Sequence, residues 1–459
     1  MTKRMSKIFN DLSRLRSPDS LARQIVGLAT PIIMASLSQT LMSLIDIAMV
    51  GRIGAAAVAA VGLGGMLIYA VSSFLNAIQS GVQTVVARRV GQNRQAEVIR
   101  TVRVTLLFSL VFGSLFGGLI GLANKYIFPA INSDPLVIQA GIAYMTLRAP
   151  SIGLVMAGYV FYAFYNGISR SRIHMVVAVI ANTANVLFNY ALIFGNWGWP
   201  EMGTTGAGLA TTLSSALAVI LYALFYSWPS VHRIYFGLWW GRLNMADLRQ
   251  VLRISMPAAF QNFGVIIGFA LFMVIMGMVS TVALAATEIV FNILSFSFMP
   301  AMGFLYATQT LVSENIGSGD YERAARSVRL ATRLCMLFMG AMGVAFLAAP
   351  QGILRIFTND QAIISTGAIP LQILGLVQFF DAIGMVHLGA LRGAADNFFP
   401  AIADILLMWL FFLPVSYVTA VYSDWGILGG WVALAFYISF FALAASQRFK
   451  HGTWRTITV

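Results

Sequence analysis

The chain has 459 residues, of which 59% are hydrophobic and only 10% are charged. Because a soluble domain carries about 25% charged residues, this composition excludes an ordinary soluble protein. The formal net charge is +13, but the basic residues lie between apolar segments, which argues against a nucleic-acid-binding protein and for a membrane protein.

Apolar segments separated by short basic loops fill most of the chain, a pattern typical of a polytopic helical membrane protein. Each segment approaches or exceeds the roughly 20 residues that a helix needs to cross the hydrocarbon core. The sequence predicts twelve spans, numbered in chain order: 25–50, 55–86, 104–128, 141–165, 175–195, 206–228, 254–279, 282–310, 332–350, 365–391, 399–421 and 427–446.

Lys and Arg residues are distributed unequally between the two sides of this topology. If both termini lie inside, 25 of the 29 basic residues fall in inner segments, and Arg52, Lys125, Arg148 and Arg355 fall outside. Such an excess marks the cytoplasmic side and brings basic residues to anionic lipid. We therefore expect a multi-pass protein of the plasma membrane (bacterial inner membrane) with both termini cytoplasmic.

Span 1 carries a polar face within an otherwise apolar segment. Ser36, Gln39, Ser43 and Asp46 follow one another at helical spacing, so they share one side of the helix. A carboxylate at membrane depth costs roughly 2.5–3.5 kcal/mol on insertion scales. Asp46 is therefore predicted to be a proton or cation site.

The second half of the chain repeats the first. The segment Gln83-Thr-Val-Val-Ala-Arg-Arg-Val-Gly-Gln-Asn-Arg94 is matched by Gln309-Thr-Leu-Val-Ser-Glu-Asn-Ile-Gly-Ser-Gly-Asp320, and Pro31 is matched by Pro257 at the same separation. Gly167-Ile-Ser-Arg170 is matched to Gly389-Ala-Leu-Arg392 at a slightly shorter separation. Because each half has six spans, both halves are expected to enter the membrane the same way up.

This repeat predicts an all-α polytopic membrane protein, in which two homologous six-helix lobes surround a central cavity, with a pseudo-two-fold axis along the membrane normal. The predicted division is a cytoplasmic N-terminal segment (1–24), an N-lobe (25–228), a cytoplasmic linker (229–253), a C-lobe (254–446) and a cytoplasmic tail (447–459). The single cysteine excludes an intramolecular disulfide.

Four acidic residues lie within the predicted spans: Asp46, Glu288, Asp381 and Asp404. Gln378 lies one turn before Asp381 on the same face of span 10. Glu288 lies near the outer end of span 8, where water could reach it, and Asp404 lies near the inner end of span 11.

Span 5 contains three asparagines on one face, at positions Asn182, Asn185 and Asn189. Asparagine within a membrane must find hydrogen-bond partners. Two interpretations remain open at this point: the three amides join helices, or they form an outer shell that holds the Asp46 carboxylate and a bound ion.

No phosphate-binding loop, nucleophile elbow or metal-enzyme cluster occurs in the sequence. An ATP-driven pump is therefore not encoded in this chain. We expect no cofactor beyond a coupling ion.

The segment Ile45-Asp46-Ile-Ala-Met-Val-Gly51, the repeated Gln-Thr…Val…Gly loops and Leu391-Arg-Gly393 together resemble the multidrug and toxic compound extrusion (MATE) family. The resemblance covers nearly the whole chain. It implies a secondary antiporter that exports organic cations in exchange for H⁺ or Na⁺ by alternating access. It also implies that the chain is not an enzyme.

The resemblance further implies roles for particular residues. Asp46 matches the ion-coupling aspartate of the first span, and Asp381 matches the tenth-span aspartate of the NorM-like branch. Asn185 and Asn189 match a fifth-span pair that reads Asn…Asp in another branch. The implied Na⁺ ligands are Asp46 and Asp381.

One departure concerns span 7, where the NorM-like branch carries a glutamate about two turns after the proline. Here Pro257-Ala-Ala-Phe-Gln-Asn-Phe-Gly-Val265 offers Gln261 and Asn262 but no acid. A site built from that glutamate and Asp381 is therefore not expected. Glu288, in span 8, is the candidate that would take the place of the missing glutamate. The predicted ion and substrate site comprises Asp46, Asn182, Asn185, Asn189, Asp381, Glu288, Gln39, Gln261 and Gln378.

Three other functions compete with this one. A flippase for lipid-linked sugars needs a strongly cationic cavity, and arginine is scarce inside the predicted spans. A membrane-embedded enzyme, such as an acyltransferase or aspartyl protease, lacks a paired motif. A channel is disfavoured by the two-lobe repeat. The expected partners are small organic cations and membrane lipid, without nucleic acid, and the chain is expected to be a monomer.

Overall fold

The computed structural model describes residues 21–238 (without the Ser230 side chain), 241–423 and 425–457. This part of the chain is α-helical and contains no β-strand, and twelve of its helical segments are long and apolar enough to cross a membrane. The predicted all-α fold with twelve spans is confirmed. Most of the predicted N-terminal segment and the last two residues of the tail lie outside the described residues.

Nine of the spans are single helices: span 1 Leu21–Gly51, span 3 Gln95–Ile131, span 5 Ser171–Phe194, span 6 Gly203–Tyr226, span 7 Met245–Val279, span 8 Thr281–Gly317, span 9 Tyr321–Ala348, span 10 Gln361–Gly393 and span 12 Ile427–Lys450. Short helices at Pro229–His232 and Pro350–Leu354 and 3₁₀ turns at Asn196–Gly198 and Thr453–Thr456 lie between or after them.

The other three spans are interrupted. Span 2 consists of Ala55–Asn76 and Ile78–Gly91, and span 4 consists of Pro135–Arg148 and Ile152–Gly167, joined by the 3₁₀ turn Ala149–Ser151. Span 11 begins as the α-helix Phe398–Leu406 and alternates through Leu407–Phe412 (π), Leu413–Tyr417 (α) and Val418–Tyr422 (π). Pro150 lies in the 3₁₀ turn of span 4, and Pro414 lies at the start of the short α-helix that follows the first π segment of span 11. Proline has no backbone N–H to donate, so it cannot make the hydrogen bond of a regular helical turn.

Several helices begin well before the apolar segment that predicted them. Span 3 begins at Gln95 rather than 104, and span 7 begins at Met245 rather than 254, inside the segment assigned to the linker. Polar contacts stabilise these extra turns: the buried Asp247 carboxylate accepts a bond from Arg89 Nη2 at 2.8 Å and one from Arg100 Nε at 2.5 Å. Charge-assisted bonds of this kind keep a polar helix end folded.

The described residues form two compact units. One consists of Met34–Ala259, and the other consists of the described residues up to Ile33 together with those from Phe260 on. Both boundaries fall inside a helix, and each lies shortly after a proline, Pro31 in span 1 and Pro257 in span 7. Each unit therefore contains five complete spans and parts of spans 1 and 7.

The internal repeat is visible in the turns that end spans 4 and 10. Ser169 (φ 59°) and Ala395 (φ 66°) both adopt the left-handed conformation, and the amide after each donates to a carbonyl five residues back, Arg170 to Tyr165 at 2.8 Å and Asp396 to Leu391 at 2.9 Å. Ser169 and Ala395 have the same separation in the chain as Pro31 and Pro257. The predicted match of Gly167 with Gly389 is therefore wrong, because it aligned residue letters rather than the turn.

The corrected register pairs Gly167 with Gly393 and explains two close helix contacts. A Cβ on Gly167 would lie 3.2 Å from the carbonyl oxygen of Gln83, and one on Gly393 would collide with the carbonyl oxygen of Gln309. Small residues at such contacts let helix backbones approach within a membrane. Spans 2 and 4 thus pack in one unit as spans 8 and 10 pack in the other.

Candidate functional site

A chain of hydrogen bonds begins at Asp46 and runs across spans 1, 5 and 6. Asn189 Nδ2 donates to Asp46 Oδ1 at 2.6 Å and to Asn185 Oδ1 at 3.1 Å. Asn185 Nδ2 then donates to Ser214 Oγ at 3.2 Å, and that hydroxyl donates to the Thr211 carbonyl at 3.0 Å. The structure therefore brings together Asp46, Asn185 and Asn189, three of the predicted site residues.

The Asn189 amide has an unused acceptor beside the carboxylate. Its side chain is only 2% exposed, its nitrogen serves two acceptors, and its Oδ1 atom has no hydrogen-bond donor. A buried amide oxygen normally has a donor or an ion next to it. Asp46 is itself only partly buried, so a proton or a small cation can reach this pair of oxygens.

The remaining predicted residues of this unit lie further from the carboxylate. Asn182 Nδ2 donates to Ser38 Oγ at 3.0 Å and so joins span 5 to span 1. The exposed side chain of Gln39 contacts Met42 Sδ at 3.8 Å on its own helix. Asn182 is thus a structural neighbour of the site, and Gln39 is not part of its hydrogen-bond chain.

Two residues near Asp46 are missing from the sequence prediction. Arg148 interacts electrostatically with Asp46, and Tyr144 interacts with both. The charge count places Arg148 on the outer side, although the predicted span 4 (141–165) contains it. A charged residue inside an apolar segment is the signal that identifies it.

The second unit contains another buried carboxylate, Asp381, in span 10. It is 8% exposed, and its Oδ2 atom has no hydrogen-bond donor. One turn earlier, Gln378 Nε2 donates to Ser297 Oγ at 3.0 Å, and Gln378 Oε1 is buried without a donor. Two unused oxygens therefore lie on one face of span 10, as the spacing predicts.

Gln261 lies in a buried hydrogen-bond network of the second unit. Its Nε2 atom donates to Asp404 Oδ2 at 2.8 Å, and its Oε1 atom accepts from Arg392 Nη2 at 3.0 Å. Tyr437 donates to the other oxygen of Asp404 at 2.5 Å. The amide of Gln261 thus bridges a buried carboxylate and a buried guanidinium, and these contacts connect spans 7, 10, 11 and 12.

Glu288 is not brought to these groups. Its side chain is exposed, and its backbone carbonyl accepts from Asn292 of the same helix at 3.0 Å. Among the described residues, no group of three or more His, Cys, Asp or Glu side chains could hold a metal ion.

Comparison with protein families gives one match that occurs twice. The family model described as MatE matches residues 31–191 and again residues 257–418. The two matches begin at Pro31 and Pro257, so their separation is the one found in the turns and helix contacts. The family unit is therefore half of this chain, present in two copies.

Curated relatives match along almost their full length. A probable multidrug resistance protein NorM from Thermotoga maritima is 31% identical, and the alignment covers 98% of this chain and 97% of the relative. A protein of the same name from Chromobacterium violaceum is 28% identical, with 90% of each chain covered.

Solved structures share the fold. A structure described as the outward-facing conformation of a multidrug resistance MATE family transporter of the MOP superfamily has a TM-score of 0.87 at 18% identity, covering 95% of this chain and 97% of the other. A MOP superfamily transporter from Pyrococcus furiosus has a TM-score of 0.85 at 17% identity, covering 96% and 98%.

Proposed function

This chain belongs to the MATE family of transporters, and on that premise we propose that it is a multidrug antiporter. It is a transporter and not an enzyme. In this proposal it exports organic cations in exchange for H⁺ or Na⁺, by alternating access, as a multi-pass protein of the bacterial inner membrane. The names of its NorM relatives support the multidrug substrate class.

The observation that carries the proposal is the pair formed by Asp46 and Asn189. The carboxylate accepts a bond from the amide nitrogen at 2.6 Å, while the amide oxygen is buried and has no donor. A proton on Asp46 could donate to such an oxygen after a small rotation, and Na⁺ could accept both oxygens as ligands. The arrangement of Asp46 and Asn189 therefore supports a site that binds one cation at a time, either H⁺ or Na⁺.

Exchange follows from the charge of that site. When H⁺ or Na⁺ binds Asp46, the negative charge that attracts an organic cation is removed, and the substrate leaves on the outer side. When the ion is released inside, the free carboxylate attracts the next substrate. Because the two cations compete for one carboxylate, each transport cycle exchanges them without ATP.

A second cation site is proposed at Asp381 and Gln378. Each has a buried oxygen without a hydrogen-bond donor. The Asp381 carboxylate can take up a proton, and carboxylate and amide oxygens are the type of ligand that a hard cation such as Na⁺ prefers. Glu288, predicted as a partner of Asp381, has no part in this proposal because its side chain is exposed. We propose no cofactor beyond the coupling ion.

The function is tested with purified protein in liposomes loaded with ethidium, a fluorescent organic cation. Ethidium movement is followed after a proton gradient is imposed and, separately, after a Na⁺ gradient is imposed. We expect ethidium movement under one of the two gradients. The ionophore that collapses that gradient, nigericin for H⁺ or monensin for Na⁺, should abolish the movement. The absence of movement under both gradients would contradict antiport and would favour the lipid-flippase alternative.

We propose that both termini are cytoplasmic and that the protein acts as a monomer in contact with anionic lipid. The excess of Lys and Arg in alternate loops supports this orientation. In a chain with Cys335→Ala, a cysteine added at either terminus should react with a membrane-impermeant maleimide only after the cells are permeabilised. Labelling of a terminus in intact spheroplasts would contradict the orientation.

A further inference from the structure

The connector between spans 6 and 7, residues 227–244, exposes large apolar side chains although it lies outside both spans. Phe236 is 74% exposed, Trp228 is 63% exposed and Ile234 is 50% exposed. Trp228 lies two residues after Tyr226, the last residue of span 6, so the connector begins at the membrane surface. Exposed apolar side chains that lie together mark a surface for a membrane or for another protein.

The opposite side of the connector is anchored to the protein. Val231, Tyr235 and Leu238 are buried. The hydroxyl of Tyr226 donates to the Tyr235 carbonyl at 2.5 Å and accepts from the Leu238 amide at 2.8 Å. The connector therefore has a fixed inner side and an exposed outer side, which is the arrangement of an amphipathic segment that lies on a membrane surface.

Arg103 of span 3 brings two stretches of the connector together. Its guanidinium donates to the carbonyl of Leu238 at 3.0 Å, to that of Arg242 at 3.2 Å and to that of Gly237. Because these carbonyls share one guanidinium, Phe236, which precedes Gly237, lies close to the backbone of Arg242. Both Phe236 and Arg242 are exposed, so an aromatic and a basic side chain belong to one patch.

The positive charge of this patch is not balanced by acidic residues. The connector contains no Asp or Glu. Arg233 and Arg242 are exposed, and in the described part of the chain no ion pair involves either guanidinium. Asp247, the next acidic residue in the chain, is buried and already paired with arginines of spans 2 and 3. The patch can therefore attract an anion.

We propose that the connector is a binding surface for an anionic phospholipid. Arg233 and Arg242 bind the phosphate of the headgroup, while Ile234 and Phe236 enter the apolar part of the leaflet. The inference rests on the proposed contact with anionic lipid and names the segment that makes it. The charge and the start of the connector at the membrane surface favour lipid over a protein partner, because basic segments next to a span attract anionic headgroups.

The purified full-length protein is titrated in detergent with dioleoyl phosphatidylglycerol and, separately, with dioleoyl phosphatidylcholine, and bound lipid is measured by native mass spectrometry. We expect tighter binding of phosphatidylglycerol. The double variant Arg233→Gln/Arg242→Gln should raise the Kd for phosphatidylglycerol roughly 10-fold, because two charges that attract the headgroup are lost. The matched control, Arg52→Gln/Arg355→Gln, removes the same charge from exposed positions outside the connector and should leave this Kd unchanged.

A second comparison tests the apolar half of the surface. Phe236→Ser should weaken the binding of phosphatidylglycerol several-fold, because an apolar contact with the lipid is lost. Glycerol 3-phosphate at equal concentration should not displace the lipid, since it offers the phosphate without acyl chains. Unchanged affinity in Phe236→Ser, or displacement by glycerol 3-phosphate, would reveal a site for phosphate alone and would overturn the lipid assignment.

The outcomes separate this inference from the proposal on which it rests. If the wild-type protein binds both lipids equally, the proposed contact with anionic lipid is wrong. If the wild type prefers phosphatidylglycerol but the connector variant binds it as tightly, or if the control variant loses as much affinity, the connector is not the binding surface. An oligomer that becomes a monomer in Phe236→Ser would show that a second copy of the chain occupies this surface, which would also overturn the inference.

Discussion

At the scale of single residues, the amide of Asn189 is the hydrogen-bond partner of Asp46 in the proposed ion site. Both its N–H groups are used, one by Asp46 and one by Asn185. The amide is therefore oriented by span 5, with its oxygen left over for an ion or a proton. An aspartate at this position, as in the other branch of the family, would add a second negative charge. Asn189 keeps the site to one carboxylate.

We predict that Asn189→Ala lowers drug exchange roughly 10-fold, because it removes the hydrogen bond that Asn189 donates to the Asp46 carboxylate at the proposed ion site; hydrogen bonds to charged groups contribute about 1.5–3 kcal/mol. Asn182→Ala is the matched control, since it removes the same type of side chain from the same helix face, and the hydrogen bond described for Asn182 goes to Ser38 instead of Asp46. Exchange rates in liposomes, normalised to the amount of folded protein, distinguish the two. Equal losses in both variants would show that the asparagines act only as contacts between helices.

The sequence predicts part of this arrangement and leaves out the rest for physical reasons. Helical spacing places Asn185 and Asn189 on one face of span 5, and the polarity of span 1 points to Asp46. The contact of Gln261 with Asp404 and Arg392 joins residues that are far apart in the chain. Periodicity within one helix contains no information on such pairs, so the sequence alone does not show which residues contact Gln261.

At the scale of helices, the apolar pattern predicts the number of spans but not where each helix ends or breaks. Span 7 starts at Met245, well before its predicted boundary at 254, because polar residues outside the membrane continue the helix. The break at Ala149–Ser151 contains a proline, and the sequence shows that proline plainly. Proline allows either a kink or a break, and only the structure decides between them.

Close contacts between helices give a prediction at this scale. Gly393→Ala would drive a Cβ into the backbone oxygen of Gln309 and so force span 10 away from span 8. We expect a destabilisation of about 1–3 kcal/mol, the usual effect of overpacking. The measurement is thermal unfolding of the purified protein in detergent.

Gly118→Ala is the control for this variant. Gly118 lies within span 3, and a Cβ there would have no atom within 4 Å. Because alanine favours helix more than glycine does, this variant should gain up to about 1 kcal/mol. Equal effects at the two glycines would show that the contact between spans 8 and 10 is not as tight as the structure indicates.

At the scale of the whole molecule, the two halves share their backbone design but not their charges. In the register that pairs Pro31 with Pro257, Asp46 corresponds to Phe272 and Arg148 corresponds to Leu374. Phe272 and Leu374 are both buried in the apolar core of the second unit. The repeat therefore duplicates helices, turns and glycine contacts, while each half has its own ionisable groups.

Matching residue letters aligns only part of the repeat correctly, because some equivalent positions share backbone shape and not residue type. Turns such as those at Ser169 and Ala395 keep their shape although their residues differ, because the shape depends on backbone hydrogen bonds. Matching letters instead pairs Arg170 with Arg392, which lie at different places in the two turns. The fold could be read from hydropathy and the early repeat, whereas the function of each half depends on its own side chains.

The most direct test of this account compares Asp46→Asn with Glu288→Gln in the ethidium exchange assay. Both variants replace a carboxylate within a span by its amide, but Asp46 lies beside Asn189 and Glu288 is exposed. The account predicts that Asp46→Asn abolishes exchange driven by the coupling ion, while Glu288→Gln keeps wild-type exchange. Full exchange by correctly folded Asp46→Asn protein would contradict the claim that Asp46 couples ion and drug.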